Sequence, residues 1–563
     1  MRTIRLPVTT QYNTRSGVKN TDTTSGIIGV GIIGQMIIGK TVTFAQKDSG
    51  MVNCFTQTAA GKKYTVKRPG WTTLNTPAVG QAGYAILVWT GNSTGDKVIT
   101  AFGSPSTIYD GATSLGLISG ACTGISETFT GNNIATILMS ANDQSGWYMP
   151  ANAITAPGTG NTTIASAIVN TIASTTGLYT GQAISGAGIP ASTRILTVDS
   201  ATQITMTQNA TATTAGVVLT TEKIAKIIDV DFPGNAAQVL VGTFVTIDGY
   251  AVIMTANGRV WSSDLNTLSG WTASSYDSAN AYPDAGIGAV RYKNMIVAFG
   301  TESLQLFYNA GLTPFPFAKS ISQTLKIGAV AAGAITNISD TIFFAGSTSQ
   351  GGISIYKYDY GLTRVSTSEI DTFLLLNGSS GINLTSIRYL GRSFIYVNTG
   401  SYTLVYCLEE DRWHELAGTN KLWGKCVGAS VGALLYNYCI STSFSSGKVY
   451  KMDQTNFSYQ DDGAAIQSKI NLPNWDGGTN KKKFFTSIEV ISDVEVSTSP
   501  LDVSYSDNDF MSFTSLGSVD LSSQRKKLAR AGSSRKRAWQ LTHSANTPFR
   551  IEALELTIEA GLS

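Results

Sequence analysis

The phrase SGIIGVGIIGQ carries the residues that most resemble working chemistry. Gly29, Gly31 and Gly34 spell G-x-G-x-x-G, and Asp48 follows about twenty residues later. In a dinucleotide site that spacing lets the backbone approach a pyrophosphate at a helix N-terminus while the acid takes a ribose hydroxyl. The chemistry needs a buried strand ahead of the first glycine and a helix beginning at the last. Here the polar, turn-forming TRSGVKNTDTTS precedes Gly29, and QMIIGK meets Gly39 too soon for a crossover helix. No βαβ alternation follows anywhere in the chain. The stretch reads as an apolar, glycine-notched extended segment lying along a neighbouring domain or subunit, and no cofactor is expected.

Hydrolytic chemistry finds equally little support. Glycosidases need two convergent carboxylates. Asp229, Asp231 and Glu302 supply carboxylates, but no spacing pairs them. SDLNTLSGW (Ser263–Trp271) and SYSDNDF (Ser504–Phe510) resemble the turn-stabilising S-x-D-x-G-x-x-W box of sialidases, and both lack its glycine in register. His414 and His543 are the only histidines and stand far apart, so no metal-ligand spacing involves them. No G-x-S-x-G nucleophile motif appears. Catalytic, metal and cofactor-binding residues are all expected to be none. Of the nine tryptophans, Trp89, Trp261, Trp271 and Trp413 fall at strand ends or turns and are expected in blade packing. Exposed ones would stack on sugars, which leaves open a second function class, a glycan-binding adhesin with or without glycosidase activity.

The strongest charge signal is QRKKLARAGSSRKRAW, which gathers Arg525, Lys526, Lys527, Arg530, Arg535, Lys536 and Arg537. Three uses fit it. Lys and Arg side chains contact nucleic-acid phosphates without base specificity. They also dock an acidic protein ring, or they solvate a hairpin between two strands. NKKKFF (Asn480–Phe485) and GKKYTVKRPG (Gly61–Gly70) are weaker versions, the latter reading as a turn at Pro69-Gly70.

Elements must position these residues, and the composition says which. Gly, Thr, Ser and Asn are abundant, helix-forming runs are nearly absent, and Val, Ile, Thr and Tyr suit pleated surfaces. The chain is expected to be all-β. At 563 residues it exceeds one ordinary core, so roughly two to four domains are expected. A net charge of +3 is too small to imply a polyanion partner for the whole molecule. The five cysteines form no C-x-x-C pair and are expected to be reduced, as in a protein made in a cytosol. MRTIRLPVTT has no apolar leader, and the longest apolar run, Ile27–Gly39, is too short for a membrane segment.

A phrase recurs along the chain: a turn, alternating residues, a central aromatic, then a polar turn. It is centred on Tyr109, Tyr148, Trp261, Phe307, Tyr356, Tyr406 and Tyr450, and the last five copies are spaced by 44 to 50 residues. That is the length of one four-stranded propeller blade. Apolar runs such as YAVIMT, NMIVAFG, DTIFFAGS, RSFIYVN and GALLYNYC sit between them, as partner strands of the same hairpins. One blade cannot bury both of its faces, whereas a closed ring buries them all. The expectation is a β-propeller of six or seven blades. The gap between Tyr148 and Trp261 holds about 65 extra Thr- and Ala-rich residues, read as an inserted small β-domain. After 463 the period stops. The expected division is an extended N-terminal segment (1–50), propeller (51–154), insert (155–221), propeller (222–463) and a C-terminal β-sandwich-like domain (464–563).

From DFP (Asp231–Pro233) through WSSDL, GIGAVRY and FGTESLQLF to PFPFAKSISQTLKIGAVA and GISIYKYDYG, the phrases and their order resemble the tail hub or nozzle proteins of short-tailed bacteriophages, the packaged-DNA stabilisation proteins. MVNCFTQ, KRPGW and the closing RKRAWQL…PFRIEALELTIE are similar to that family too. The resemblance implies a structural virion protein, not an enzyme, forming a homo-hexamer below the portal. Its implied partners are a tail adaptor ring, a tail fibre or spike, a plug or needle protein, and genomic DNA in transient non-specific contact. It implies synthesis in the host cytoplasm and residence in the virion tail.

Overall fold

The computed structural model describes residues 2–8, 50–91, 97–130, 132–347, 351–377, 381–400, 402–417, 424–431, 434–442 and 445–561. Gly29, Gly31, Gly34 and Asp48 lie outside the described residues. The described chain is a β-propeller with further sheets attached to it.

Each blade is an antiparallel meander of alternating β-branched and aromatic residues. Five sheets stand alone as blades of four or five strands: 83–117, 240–278, 286–325, 328–364, and 425–453 completed by Thr72–Asn75. Two more four-stranded meanders run on into nine-stranded sheets. One comprises Cys122–Phe129, Ala135–Ala141, Gly146–Pro150 and Thr214–Lys226; the other spans 383–416. The expected six or seven equivalent blades are therefore corrected to five self-contained ones. The physical reason is sharing of outer strands. The thirteen-residue strand Thr214–Lys226 pairs with Gly146–Pro150 at one end and with Gly158–Thr162 at the other. The strand Arg412–Leu416 pairs in parallel with Gly50–Val52, which carries the C-terminal strands onward.

Every aromatic-centred phrase falls on the third strand of a meander: Tyr109, Tyr148, Trp261, Phe307, Tyr356, Tyr406 and Tyr450. The apolar runs fall on the second strands, with pairs such as Ile253 opposite Trp261 and Ile395 opposite Tyr406. First-to-second turns are tight. Asp248-Gly249 and Leu390-Gly391 both hold positive φ at their two central residues, the turn whose twist matches that of the flanking strands. Fully buried Ile253, Phe299, Phe344, Tyr396 and Val405 fill the spaces between blades. Each such side chain contributes ~1.5–3 kcal/mol on leaving water.

Polar bonds between blades fix the ring. Thr246 Oγ1 donates to Glu127 O at 2.9 Å, Arg291 Nη1 to Thr246 O at 3.4 Å, and Asn337 Nδ2 to Arg291 O at 3.0 Å. Ser386 Oγ continues to Asn337 O at 3.0 Å and Asn437 Nδ2 to Arg388 O at 2.7 Å. The Gly83 amide then donates to Ser441 O at 2.9 Å, joining the last blade to the first. Closure is completed by Thr72–Asn75, which pairs with Val449–Asp453 in the register Val449–Asn75 and Lys451–Thr72.

The one α-helix among the described residues, Ser368–Asn377, departs from the all-strand expectation. Thr367 Oγ1 accepts from the Ile370 amide at its start, Glu369 and Asp371 sit in its first turn, and Ile370, Phe373 and Leu374 form its buried face.

The strands from Gly158–Thr162 to Thr214–Lys226 enclose their own core of Val169, Ile184, Ile195, Ile204, Val217 and Leu219. They leave and rejoin the ring between the third and fourth strands of one meander. At the other end, Cys54–Ala59 and Lys62–Lys67, expected within the propeller stretch 51–154, form a hairpin whose second strand pairs with the C-terminal strand Arg550–Ala560. Those strands share a core with Leu501, Val503, Trp539, Leu541 and Leu554. The chain crosses from that core to the ring at Lys67–Trp71. Cysteine pairing is a second correction. Cys426 and Cys439 face each other across two paired strands and form a disulfide, because this register brings their sulfurs together; Cys54, Cys122 and Cys407 are free and buried.

Candidate functional site

The basic cluster flanks two short strands, Lys527–Ala529 and Ser533–Ser534, which pair along Lys483–Ser492. Folding divides its seven residues into two groups. Lys526 and Arg537 are buried, while Arg525, Lys527, Arg530, Arg535 and Lys536 are exposed.

Arg537 is a structural cation. Its Nε and Nη2 reach the two Asp507 carboxylate oxygens at 2.6 and 2.7 Å, and Nη1 donates to Ala531 O. Its guanidinium lies 3.9 Å from the Tyr505 ring centroid and 4.6 Å from that of Phe485. Lys526 Nζ donates to Ser492 O at 3.2 Å. Among the exposed members, Arg525 approaches Glu489 at 3.7 Å and Lys536 approaches Asp509 at 3.4 Å.

The second basic phrase joins the first in space. Lys483 is buried and its Nζ donates to Thr479 O at 2.6 Å, Lys481 O at 2.9 Å and Arg535 O at 2.6 Å. All three ammonium hydrogens are thus used on two loops, and burial moves the Lys483 pKa down. Sequence spacing could not reveal this pairing, since the two loops are some fifty residues apart and only strand register brings them together.

The other candidates are dispersed. Asp229 Oδ1 accepts from the Asp231 amide at 2.8 Å and Oδ2 from the Trp271 amide at 3.2 Å, so it fastens a turn. Glu302 is exposed, and its amide donates to Asp284. Within SDLNTLSGW, Asp264 accepts from Thr272 Oγ1 at 2.9 Å while Trp271 is buried with Nε1 donating to Leu268 O. Trp89, Trp261 and Trp413 are buried as well. An open groove at the ends of the first strands is lined by Thr90, Glu127, Phe129, Asp248 and Arg291. Glu127 there is tied to the Gly91 amide at 2.6 Å, and Arg291 to Thr246, so both brace blade ends.

The crossing at Lys67–Trp71 carries buried charge that no spacing in the sequence revealed. Arg68 makes a two-pronged pair with Asp461, Nη1–Oδ1 at 3.0 Å and Nη2–Oδ2 at 2.6 Å. Its Nε donates to Asn53 Oδ1 at 2.9 Å, and Asn53 Nδ2 donates in turn to Ala417 O and Gln467 O. Burial pulls the Arg68 pKa down, but the facing Asp461 more than offsets this and the net shift is upward. Lys67 Nζ lies 3.2 Å from His543 Nδ1 and donates to Ala545 O at 2.6 Å. Burial, then Arg68, moves its pKa down to about 7. His543 Nε2 lies 2.8 Å from Ser499 Oγ, which meets Thr547 Oγ1 at 2.7 Å. Burial and Lys67 push His543 down to about 3, and burial with Arg68 does the same to His414. Ser499 is fully buried, so this Lys–His–Ser string is a strut and not an accessible nucleophile. Among the described residues, no group of His, Cys, Asp and Glu is arranged to hold a metal ion, and no helix is long and apolar enough to cross a membrane.

Comparison with known proteins gives one family. The model described as "Bacteriophage P22 Gp10, beta-propeller" matches residues 103–421, more than half of the chain. A search of curated proteins found no match. Among solved structures, BamB from Moraxella catarrhalis is similar at 9% identity and a TM-score of 0.33, covering 70% of this chain and 92% of that one. The WD40 beta propeller domain of Doa1 is similar at 10% identity and a TM-score of 0.35, covering 68% and 97% respectively.

Proposed function

The chain belongs to the bacteriophage P22 Gp10 beta-propeller family, and from that premise we propose that it is the hub or nozzle of a short phage tail. A structural part in a phage tail and in stabilising packaged DNA goes with the family. The finer reading is a homo-hexameric ring that continues the DNA channel below a head–tail adaptor ring. It holds the genome until ejection, then conducts it, and carries a fibre or spike on its flank and a plug or needle at its tip. The protein is made in the host cytoplasm and incorporated into the virion.

The observation that carries this is the family match extending over the blades themselves, residues 103–421. The polar bonds between blades and the strand Thr72–Asn75 suit a part that must stay rigid beside a moving, charged polymer. The strands of 158–226 are proposed as a module projecting from the ring, since they interrupt one blade connection without breaking the closure. Quantitative mass spectrometry of purified particles, normalised to the portal protein, tests the assignment. Half as many copies as portal subunits, if the portal is a dodecamer, fits a six-fold hub. Eighteen copies per particle, as for six trimeric fibres, would instead support the adhesin class.

A further inference from the structure

We propose that the loops bearing Lys481, Lys482, Arg530, Arg535 and Lys536, gathered around the exposed Phe484, form a surface that binds the phosphate backbone of DNA. The proposal rests on the tail reading for the identity of the polyanion, but its evidence is local. Lys483 draws the two loops together through its bonds to Thr479, Lys481 and Arg535 carbonyls. Phe484 pairs with Ser533 in register and is 48% exposed, with Lys482 Nζ 5.9 Å from its ring centroid. Among the described residues, Lys481, Lys482, Arg530 and Arg535 have no acidic partner within ion-pair distance; Lys536 has Asp509.

The neighbouring carboxylates behave differently. Along the same sheet Glu552 meets Arg5 at 2.7 Å and Lys62 at 3.3 Å, Glu489 meets Arg525, and Asp493 meets Arg550 at 3.3 Å. Glu552, Glu489 and Asp493 are thus neutralised within the chain, whereas at the end bearing Phe484 the five cations outnumber the strand carboxylates, of which the exposed Glu559 stands opposite Phe484 in register. That imbalance argues against a second copy docking through complementary charge and favours an external polyanion. A protein partner would also call for an apolar interface core. Cations flanking a lone aromatic ring instead match sequence-independent contact with phosphates and bases. Arg525 and Lys527, beside Glu489, lie outside the proposed surface.

The test is fluorescence anisotropy of the full chain with a labelled 20-base-pair duplex and with a 20-nucleotide single strand, between 50 and 200 mM NaCl. Engagement of about three to five phosphates predicts a roughly 40- to 500-fold loss of duplex affinity over that range. The variant K481Q/K482Q/R530Q/R535Q is expected to lose most of this salt dependence and at least tenfold in affinity at 50 mM. The control R525Q/K527Q is expected to stay within twofold of the parent, with circular dichroism verifying that both fold. Lysine acetylation of the unaltered protein gives a second readout: DNA should protect Lys481 and Lys482 but not Lys527. Absence of salt-dependent binding, equal losses in both variants, unchanged acetylation, or capture of a poly-glutamate peptide in preference to DNA would overturn the proposal. Six copies per particle without DNA binding would overturn it and leave the tail reading intact. DNA binding by a chain absent from particles would do the reverse.

Discussion

Replacing Asp461 by alanine should loosen the ring at its closure. Arg68 is 1% exposed and Asp461 7%, and the carboxylate also accepts from the Trp71 amide at 3.2 Å, one residue before the closing strand. Removing one partner of a buried pair strands the other charge, which costs about 3–5 kcal/mol. Asn53 Oδ1 and Pro69 O remain as acceptors for the guanidinium, so the lower part of that range is expected. The readout is hydrogen exchange of amides in 71–78 and 446–453, where the N-terminal strand meets the last blade. A local loss of ~3 kcal/mol raises exchange through opening by about 150-fold. The double variant R68M/D461L should recover most of the loss, since two apolar groups leave no buried charge. A change below fivefold in the single variant, or a double variant as labile as the single, would refute the claim that this pair holds the closure.

Acid should weaken the fold between about pH 6.5 and 3. Both histidines remain neutral in the folded chain down to about 3, whereas the unfolded chain protonates them near 6.5. The unfolded state therefore binds more protons in that window, and stability falls as pH drops by up to ~1.4 kcal/mol per unit for each histidine. Urea titrations at several pH values should show that slope, and H414Q should lower it by about half. G447V should reduce the melting temperature and admit protease near Ala78, because Gly447 has φ +64° and an added Cβ would strike the Ala78 carbonyl. R537M should destabilise the C-terminal sheet by ~2–4 kcal/mol in a thermal melt, since Asp507 and the Ala531 carbonyl lose their donor and three aromatic rings lose a cation.

Much of the ring was legible because a blade repeats. One aromatic-centred phrase per meander marked the third strands from Tyr109 to Tyr450, and hydrophobic runs marked the second strands. Blade individuality was not legible. Whether Thr214–Lys226 ends one sheet or joins two depends on pairing between distant segments, as does the parallel contact of Val52 with Glu415. The pairing of the first strands in the expected propeller stretch 51–154 was not legible for the same reason. Alternation in Cys54–Ala59 and Lys62–Lys67 signals strands, but partner choice is set by the C-terminal strand some 480 residues away. The helix Ser368–Asn377 was signalled by Thr367, Glu369 and Asp371 ahead of Phe373 and Leu374, then masked by the surrounding strand-like composition. In the basic cluster the residue types were visible, but not their fates: the Ser492 carbonyl holds Lys526 inward and the Asp507 carboxylate holds Arg537.

The most direct test of the tail assignment is a cryo-electron microscopy reconstruction of intact particles carrying this chain. Propellers are expected in a six-fold ring directly below the head–tail adaptor, encircling the axial passage and its DNA. Propeller density only at the tips of lateral fibres, as monomers or trimers away from the axis, would contradict that assignment.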